Sequence, residues 1–116
     1  MADKMQGVFD TILKEMFPGV EFEYKFHDAR RWRFDYCWPH AKVALECDGG
    51  VWTGGRHTSG SGFTKDMEKF NEAGLLGWRI FRVTPQQVKN GQAIVLLERI
   101  FEKRIDSRAQ KWSKAK

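Results

Sequence analysis

Two strand-like runs at residues 31–48 place the strongest constraint on what this chain can fold into. The first, residues 31–38, is rich in aromatic side chains, and the second, residues 42–48, is rich in aliphatic and β-branched ones. Pro39 and His40 separate the runs and are typical of a turn. The pattern predicts a β-hairpin, in which the two runs lie side by side in one sheet.

Around this hairpin the apolar residues recur at helical or at strand-like spacing. A stretch that holds six of the eleven glycines follows it and predicts a loop able to approach a ligand closely. Besides the hairpin, the predicted elements are a helix over 3–17, a strand over 20–27 with its apolar residues on one side, the loop over 49–62, a helix over 63–76, a strand over 78–83 and a last helix from about residue 92. This order, αβββαβα, predicts an α/β (α+β) fold with a mixed β-sheet flanked by helices, because a strand that follows a helix needs a crossover.

Length and composition favour a single domain over residues 1–116. With 41% hydrophobic and 30% charged residues, the chain has the balance of a globular protein and room for one core. No apolar run is long enough to span a bilayer, and the amino end carries acids, so we expect a cytoplasmic protein with no membrane partner. Cys37 and Cys47 are the only cysteines and are expected to be reduced, buried thiols.

The charge of the chain favours a polyanionic partner without saying which one. The formal net charge is +5 and the sequence pI is about 9.4. Residues 98–116 carry seven Lys or Arg against three Asp or Glu, so the predicted C-terminal helix and tail over about 92–116 are basic. This segment either follows a phosphate backbone or is a solvated helix end.

Three acids in the predicted hairpin are unusual for strands. Asp35 lies within the aromatic run, and Glu46 and Asp48 end the aliphatic one. A charge is costly at such positions unless a cation compensates it. A bound divalent metal ion would do so.

The length of the hairpin loop decides whether these acids converge. If the loop has two or four residues centred on residues 39–40, Asp35 faces Ala44, and Glu46 is its diagonal neighbour at roughly 7 to 8 Å along the backbone. Asp48 then lies further along the same face. A three-residue loop would instead put Asp35 and Glu46 on opposite faces of the sheet.

Carboxylates that converge in this way favour a hard metal ion. Oxygen ligands with few histidines suit Mg²⁺ or Mn²⁺ better than Zn²⁺, and these ions stabilise the charge that develops in phosphodiester hydrolysis. The alternative is ordinary ion pairing, of Asp35 with Arg31 or Arg33 and of Glu46 with Lys42. A site is favoured by the basic residues in and after the glycine-rich loop, which are Arg56, His57 and Lys65.

A family resemblance is carried by two segments, RRWRFDYCWPHAKVALECDGG and GRHTSGSGFTKDMEKFNEAGLLGWRIFRV. Over roughly residues 21–90 the chain resembles small phage and bacterial endonucleases of the PD-(D/E)XK superfamily, and is similar to very-short-patch repair and some homing endonucleases. The resemblance implies a restriction-endonuclease-like fold and Mg²⁺-dependent DNA cleavage in a bacterial host cell, with Mn²⁺ able to substitute. It also implies a metal held by Asp35, Glu46 and the Cys47 carbonyl, with Glu23 as a further catalytic acid.

The chain departs from this superfamily at Asp48. The usual residue there is a lysine that positions the attacking water or stabilises the developing phosphate charge, and an acid cannot act as that cation. The replacements are Lys69 or Lys65 on the second predicted helix, or His57, an imidazole suited to acid or base catalysis. We assign the role to His57 and Lys69. The alternatives are a loop histidine without a role and an exposed helix lysine paired with an acid on its own helix.

Arginines interleaved with Trp32 are suited to phosphate contact and base stacking. The predicted nucleic-acid contacts are Arg30, Arg31, Arg33, Arg56 and Lys65. The resulting hypothesis is a Mg²⁺-dependent endodeoxyribonuclease acting on DNA, with RNA and branched DNA left open as substrates. The alternatives are a non-catalytic nucleic-acid-binding module of the same fold, supported by Asp48, and a structural partner in a larger complex. One active site cuts one strand, so a double-strand cut would need a homodimer or a partner.

Overall fold

A computed structural model describes residues 2–48 and 60–105 of the chain. Helices and strands follow one another in the predicted order, with one short helix added after the last strand. The elements are α1 (Ala2–Met16), β1 (Glu21–Lys25), β2 (Arg33–Trp38), β3 (Val43–Cys47), α2 (Gly60–Leu75), β4 (Arg79–Val83), α3 (Pro85–Lys89) and α4 (Gln92–Ile105). The α+β class predicted from the sequence is therefore confirmed.

The glycine-rich segment ends earlier than predicted. Residues 49–59 lie outside the described residues, whereas residues 60–62 form the first turn of α2. The prediction of a loop up to residue 62 is therefore wrong. Glycine has a low helix propensity, but most of the stability of a protein helix comes from packing of its apolar face, which here lies further along α2.

The four strands form one sheet in the order β1-β2-β3-β4. The first three strands are antiparallel neighbours, and β4 lies parallel to β3. Parallel neighbours need a crossover connection, and the segment between β3 and β4 contains α2. The predicted mixed sheet is confirmed.

The hairpin of β2 and β3 has a turn of four residues, 39–42, because Trp38 pairs with Val43 and Cys37 with Ala44. Lys42, the last turn residue, has a left-handed φ of 54°. The turn is centred one residue later than predicted, so the predicted pairing of Asp35 with Ala44 is wrong by two residues. The loop length is nevertheless even. Continued one residue beyond the pair of Tyr36 and Leu45, the register places Asp35 directly opposite Glu46, on the same face of the sheet.

Helix α1 covers one face of the sheet with aromatic packing. The ring of Phe9 meets that of Tyr36 edge to face at 5.4 Å between centroids. The indole N–H of Trp38 donates to the Phe17 carbonyl at 2.8 Å. Of the apolar residues at helical spacing in α1, Phe9 and Leu13 are buried, whereas Val8 and Met16 are exposed. This packing fixes the turn end of the hairpin.

Helix α2 contacts the other face through a second apolar cluster. Phe34, Ala44, Ala73 and Trp78 are buried together there, with Cys37 beside them. The rings of Phe34 and Trp78 meet at 4.8 Å between centroids. This cluster sets the distance between α2 and the sheet, and therefore the reach of the polar side chains on α2.

The alternation of side chains along β2 is interrupted at Asp35. Residues two apart in a regular strand share a face, yet Phe34 packs in the α2 cluster while Tyr36 packs against α1. On the neighbouring strand, Phe22 pairs with Tyr36 and Tyr24 with Phe34. Glu23, which has a left-handed φ of 49°, therefore lies opposite Asp35.

The same interruption affects β1. Its alternating exposure is confirmed, but its apolar residues do not share one side, because Phe22 contacts Tyr36 and Tyr24 contacts Trp78. The alternation of side chains is therefore interrupted at the same place in both strands, at Glu23 in β1 and at Asp35 in β2.

Both cysteine side chains are free and buried, as predicted. Burial raises the pKa of the Cys37 and Cys47 thiols to about 12. Neither thiol is therefore ionised near neutral pH, and both act as small apolar groups.

Contacts between residues divide the chain into two compact units, Met1–Pro85 and Gln86–Lys116. In the second unit the Asn90 side-chain oxygen accepts the Gln92 N–H at 2.9 Å and caps α4.

None of the described helices is both long enough and apolar enough to cross a membrane. All of the candidate site residues that the structure describes lie in the first unit.

Candidate metal and catalytic site

The end of the hairpin away from the turn is held together by two carboxylates. The Asp35 N–H donates to Glu46 Oε2, and the Cys47 N–H donates to Asp35 Oδ2, both at 2.8 Å. Each acid thus accepts a main-chain hydrogen bond from the other strand. The arrangement brings Asp35 and Glu46 together, as the sequence predicted, although as direct and not diagonal neighbours.

Lys69 on α2 completes this group. Its Nζ lies 2.7 Å from Glu46 Oε1, and only 14% of the Lys69 side chain and 8% of the Glu46 side chain are exposed. The ammonium also lies 5.8 Å from the centroid of the Phe34 ring, so an apolar wall flanks the ion pair. The alternative of an exposed lysine paired with an acid on its own helix is therefore wrong.

The two carboxyl groups are electrostatically crowded. Burial is the largest cause that raises the pKa of Asp35, and the Cys47 N–H and the Lys69 charge oppose it. Burial also raises the pKa of Glu46 most, with the Asp35 charge adding to the rise and Lys69 opposing it. Two carboxylates and one ammonium leave one negative charge uncompensated when all are ionised. An additional cation would stabilise the ionised pair.

The donor set fits a hard divalent ion. Asp35, Glu46 and the main-chain carbonyl of Cys47 all offer oxygen ligands, the kind that Mg²⁺ and Mn²⁺ prefer. Within residues 2–48 and 60–105, however, no three His, Cys, Asp or Glu side chains gather as a metal-binding group. A metal here would therefore rest on two carboxylates, one carbonyl and water.

Asp48 does not join the other two acids. Arg82 Nε donates to Asp48 Oδ2, and Arg82 Nη2 lies 3.6 Å from Asp66 Oδ2. The expected convergence of three acids is therefore wrong for the described residues. The reason is the parallel strand β4, which places Arg82 directly opposite Glu46 and supplies Asp48 with a cation of its own.

Glu23 lies on β1, opposite Asp35, and its side chain is exposed to solvent. It thereby forms one row across the four strands with Asp35, Glu46 and Arg82. Its charge contributes to the raised pKa of Asp35. Its role as a further catalytic acid stays a prediction.

The ordinary ion pairs considered for the site acids are absent from the described part of the chain. No ion pair there joins Asp35 to Arg31 or Arg33. Lys42 Nζ instead donates to the Leu76 carbonyl at 3.2 Å, so Lys42 does not neutralise Glu46.

Among the predicted nucleic-acid contacts, Arg30 is held by protein side chains, and three others are exposed to solvent. The Arg30 guanidinium lies 4.1 Å over the Trp32 ring and 3.5 Å from Glu68, which ties the turn between β1 and β2 to α2. Arg31, Arg33 and Lys65 are exposed. Arg56 and His57 lie outside the described residues, so their predicted roles stay predictions.

Two further groups that contact α2 were not found from the sequence. The first is Arg82, whose place opposite Glu46 follows only from the stagger of β4 against β3. The second is His27, whose Nδ1 accepts the N–H groups of Ala29 and Arg30 at 3.1 and 3.0 Å and whose Nε2 lies 3.1 Å from Glu72 Oε1. Strand alternation in GWRIFRV puts Arg82 on the same face as Ile80, but it does not show that Arg82 lies opposite Glu46.

The chain was compared with protein-family models, with curated proteins and with solved structures, and none matched it.

Proposed function

We propose that this chain is a Mg²⁺-dependent endodeoxyribonuclease with a restriction-endonuclease-like fold. The observation that carries the proposal is the buried contact between Lys69 and Glu46 beside Asp35. In this contact Lys69 of α2 supplies an amine, whereas the superfamily's usual lysine, two residues after Glu46, is replaced by Asp48. The four-stranded mixed sheet with helices α1 and α2 on its faces supports the same proposal.

In the proposed reaction, Asp35, Glu46 and the Cys47 carbonyl would hold the ion. The ion, when bound, supplies a positive charge that stabilises the phosphate and lowers the pKa of a bound water. The protein residues orient this chemistry: the Cys47 N–H fixes one oxygen of Asp35, and the Asp35 N–H fixes one oxygen of Glu46. Because both carboxylates are held in place, little reorganisation is needed at the moment of reaction.

Lys69 has two roles in the proposal. Its ammonium opposes the rise that burial causes in the pKa of Glu46, and its remaining N–H groups can donate to a phosphate oxygen as negative charge develops during hydrolysis. The apolar wall of Phe34 excludes water from one side of the ammonium and strengthens both interactions. Hydrolysis adds water to phosphorus and breaks one phosphodiester bond.

The proposed partner is DNA. The net charge of +5 and the exposed Arg31 and Arg33, which lie on or next to the strand that carries Asp35, favour a polyanion at this end of the sheet. A homodimer is proposed for double-strand cutting, since each site would cut one strand. A bacterial cytoplasm is the proposed location.

A second candidate function is a non-catalytic nucleic-acid-binding module of the same fold. One observation favours it: the Lys69 ammonium already supplies a cation to Glu46, while Asp48 stands at the usual position of the catalytic lysine. In this case DNA binding would need no metal, and no substrate would be cut.

The test is cleavage of supercoiled plasmid, single strands and a branched duplex, with Mg²⁺, Mn²⁺ or EDTA. The variants are Asp35→Asn, Glu46→Gln and Lys69→Met, and the matched controls are Asp28→Asn and Lys89→Met, both at exposed positions. Metal-dependent cutting that the first three variants lose and the controls keep would support the nuclease. DNA binding without cutting in any condition would favour the binding module.

A further inference from the structure

Arg82 is held on three sides at the edge of the candidate site. Its Nε donates to Asp48, its Nη2 lies 3.6 Å from Asp66 Oδ2, and its guanidinium lies 4.3 Å from the centroid of the Phe70 ring. Contacts on both edges and one face of a guanidinium define its orientation closely. Arg82 is therefore fixed, although its side chain is 45% exposed.

The position of Asp48 explains why a fixed arginine matters there. Asp48 follows Glu46 by two residues, so the two side chains start from the same face at a backbone separation of roughly 6 to 7 Å. Carboxylates at that spacing can ligate one ion together. Without Arg82, Asp48 would be a third carboxylate next to Asp35 and Glu46 and a competitor for Lys69.

The charges at this end of the sheet thus form two separate pairs. Glu46 receives its cation from α2 through Lys69, and Asp48 receives its cation from β4 through Arg82. Asp66, Lys69 and Phe70 lie on one face of α2, at helical spacing, so Arg82 also holds the helix turn from which Lys69 reaches Glu46.

We propose that Arg82 is a positioning residue that keeps Asp48 out of the metal's ligand set and leaves Lys69 to Glu46. The inference rests on the proposed function, because it presumes a metal at Asp35 and Glu46. Loss of Arg82 then releases an additional anionic ligand. Metal binding becomes tighter while cleavage becomes slower, since Asp48 draws Lys69 and the ion away from the phosphate.

The test is direct titration of the metal-free protein with Mn²⁺, by calorimetry and by electron paramagnetic resonance, alongside cleavage. Arg82→Gln is expected to bind Mn²⁺ roughly tenfold more tightly than wild type, because affinity rises with the number of charged ligands. The double variant Arg82→Gln/Asp48→Asn is expected to return to the wild-type affinity, because no carboxylate is released. Arg79→Gln, an exposed arginine on the same strand, is the matched control and should not change binding.

A purely structural tether predicts a different pattern. Loss of Arg82 would then weaken Mn²⁺ binding or leave it unchanged, and the double variant would be no better than the single one. Either result overturns the inference. If Arg82→Gln does not fold, Asp48→Asn alone decides: unchanged Mn²⁺ affinity supports the inference, and a tenfold or greater loss shows that Asp48 is a ligand and overturns it.

The same titration separates this inference from the proposed function. No Mn²⁺ binding by the wild-type protein, or equal binding by wild type and Asp35→Asn, overturns both. Binding by wild type that is lost in Asp35→Asn but is not tightened in Arg82→Gln overturns the role of Arg82 alone.

Discussion

The two ends of the β2–β3 hairpin are built from the same strands by opposite chemistry. At the turn end, Trp38 pairs with Val43, and both side chains are fully buried among apolar neighbours. At the other end, Asp35 and Glu46 face each other, and their carboxylates accept the main-chain N–H groups. The turn end is buried and apolar, and the other end holds two carboxylates and one ammonium.

The two ends therefore contribute differently to the stability of the fold, and the candidate site lies at the charged end. Burying a large aromatic side chain contributes a few kcal/mol at about 25 cal/mol per Å². Burying a carboxylate costs several kcal/mol before its partners compensate it. The charged end is therefore held in place by the apolar end and by the α2 cluster.

The largest effect is expected at the apolar end. Trp38→Ala removes a buried ring and the donor to the Phe17 carbonyl, so it should lower the free energy of unfolding by about 3–5 kcal/mol. Urea denaturation followed by far-ultraviolet circular dichroism measures this change. Val8→Ala, at a site 60% exposed, is the control and should change stability by less than about 0.5 kcal/mol. A wild-type midpoint for Trp38→Ala would contradict the assignment of the apolar end as the stabilising one.

A smaller loss is expected where an ion pair of the charged end is broken. Lys69→Met leaves Glu46 buried without its ammonium, which should cost about 3 kcal/mol at pH 8. The Lys69 charge lowers the pKa of Glu46, so its removal raises that pKa further above the ordinary value. As the pH falls through this raised pKa, Glu46 becomes protonated in the folded state, and the deficit should shrink.

Urea denaturation at pH 5 and pH 8 measures the deficit, with the exposed Lys89→Met as control. The double variant Lys69→Met/Glu46→Gln should recover much of the loss at pH 8, because no buried charge is left unpaired. An equal deficit at both pH values would argue that Lys69 stabilises the protein by packing and not by its charge.

The sequence predicted the apolar end better than the charged end. Strand alternation and helix spacing depend on local side-chain patterns, so the hairpin, the mixed sheet and the buried cysteines were confirmed. The predicted pairing of Asp35 with Ala44 was wrong because the turn includes Lys42 in a left-handed conformation. Lysine rarely adopts this conformation, so nothing in the sequence indicated it.

The candidate site was also predicted only in part, because some of its contacts depend on the local turn and others on distant parts of the chain. The nearness of Asp35 and Glu46 follows from the even length of the turn, which the sequence allowed. The ion pair of Asp48 with Arg82 did not follow, because it depends on the register between two parallel strands that are distant in the chain, which places Arg82 opposite Glu46. Pairings that depend on long-range stagger leave no local pattern in the sequence.

A gain in stability is expected from neutralising the charged end. In Asp35→Asn the amide oxygen can still accept the Cys47 N–H, while the Asp35 charge that helps to raise the pKa of the buried Glu46 is removed. Without metal, the variant should be more stable than wild type by about 1 kcal/mol at pH 8, as is common when a buried charge is replaced by a neutral group of the same shape. It should also lose cleavage.

The pH dependence checks the sign of this effect. The raised pKa of Asp35 means that its proton is held more tightly in the folded than in the unfolded state. Wild-type stability in EDTA should therefore fall as the pH rises from the ordinary carboxyl pKa through the raised one, and less so in Asp35→Asn. Melting temperatures from pH 4 to pH 8 measure this, with Asp28→Asn as control. A less stable Asp35→Asn at pH 8 would contradict the view that this end is electrostatically costly.

The smallest effect is expected from the exposed arginines beside the charged end. Arg33 precedes Asp35 by two residues, and it pairs directly across the strands with Lys25, a like-charge neighbour that a phosphate would compensate. The variant Arg31→Gln/Arg33→Gln should weaken DNA binding and reduce the slope of log affinity against log salt by about 0.9 for each phosphate that the arginines no longer neutralise. Its thermal stability should rise slightly or stay unchanged, because one like-charge pair is relieved.

Fluorescence anisotropy with a labelled duplex over a salt series measures the slope of log affinity against log salt, and the control Arg79→Gln should keep the wild-type slope. An unchanged slope in the double variant would place the DNA on another face and would separate the charged end from the binding surface.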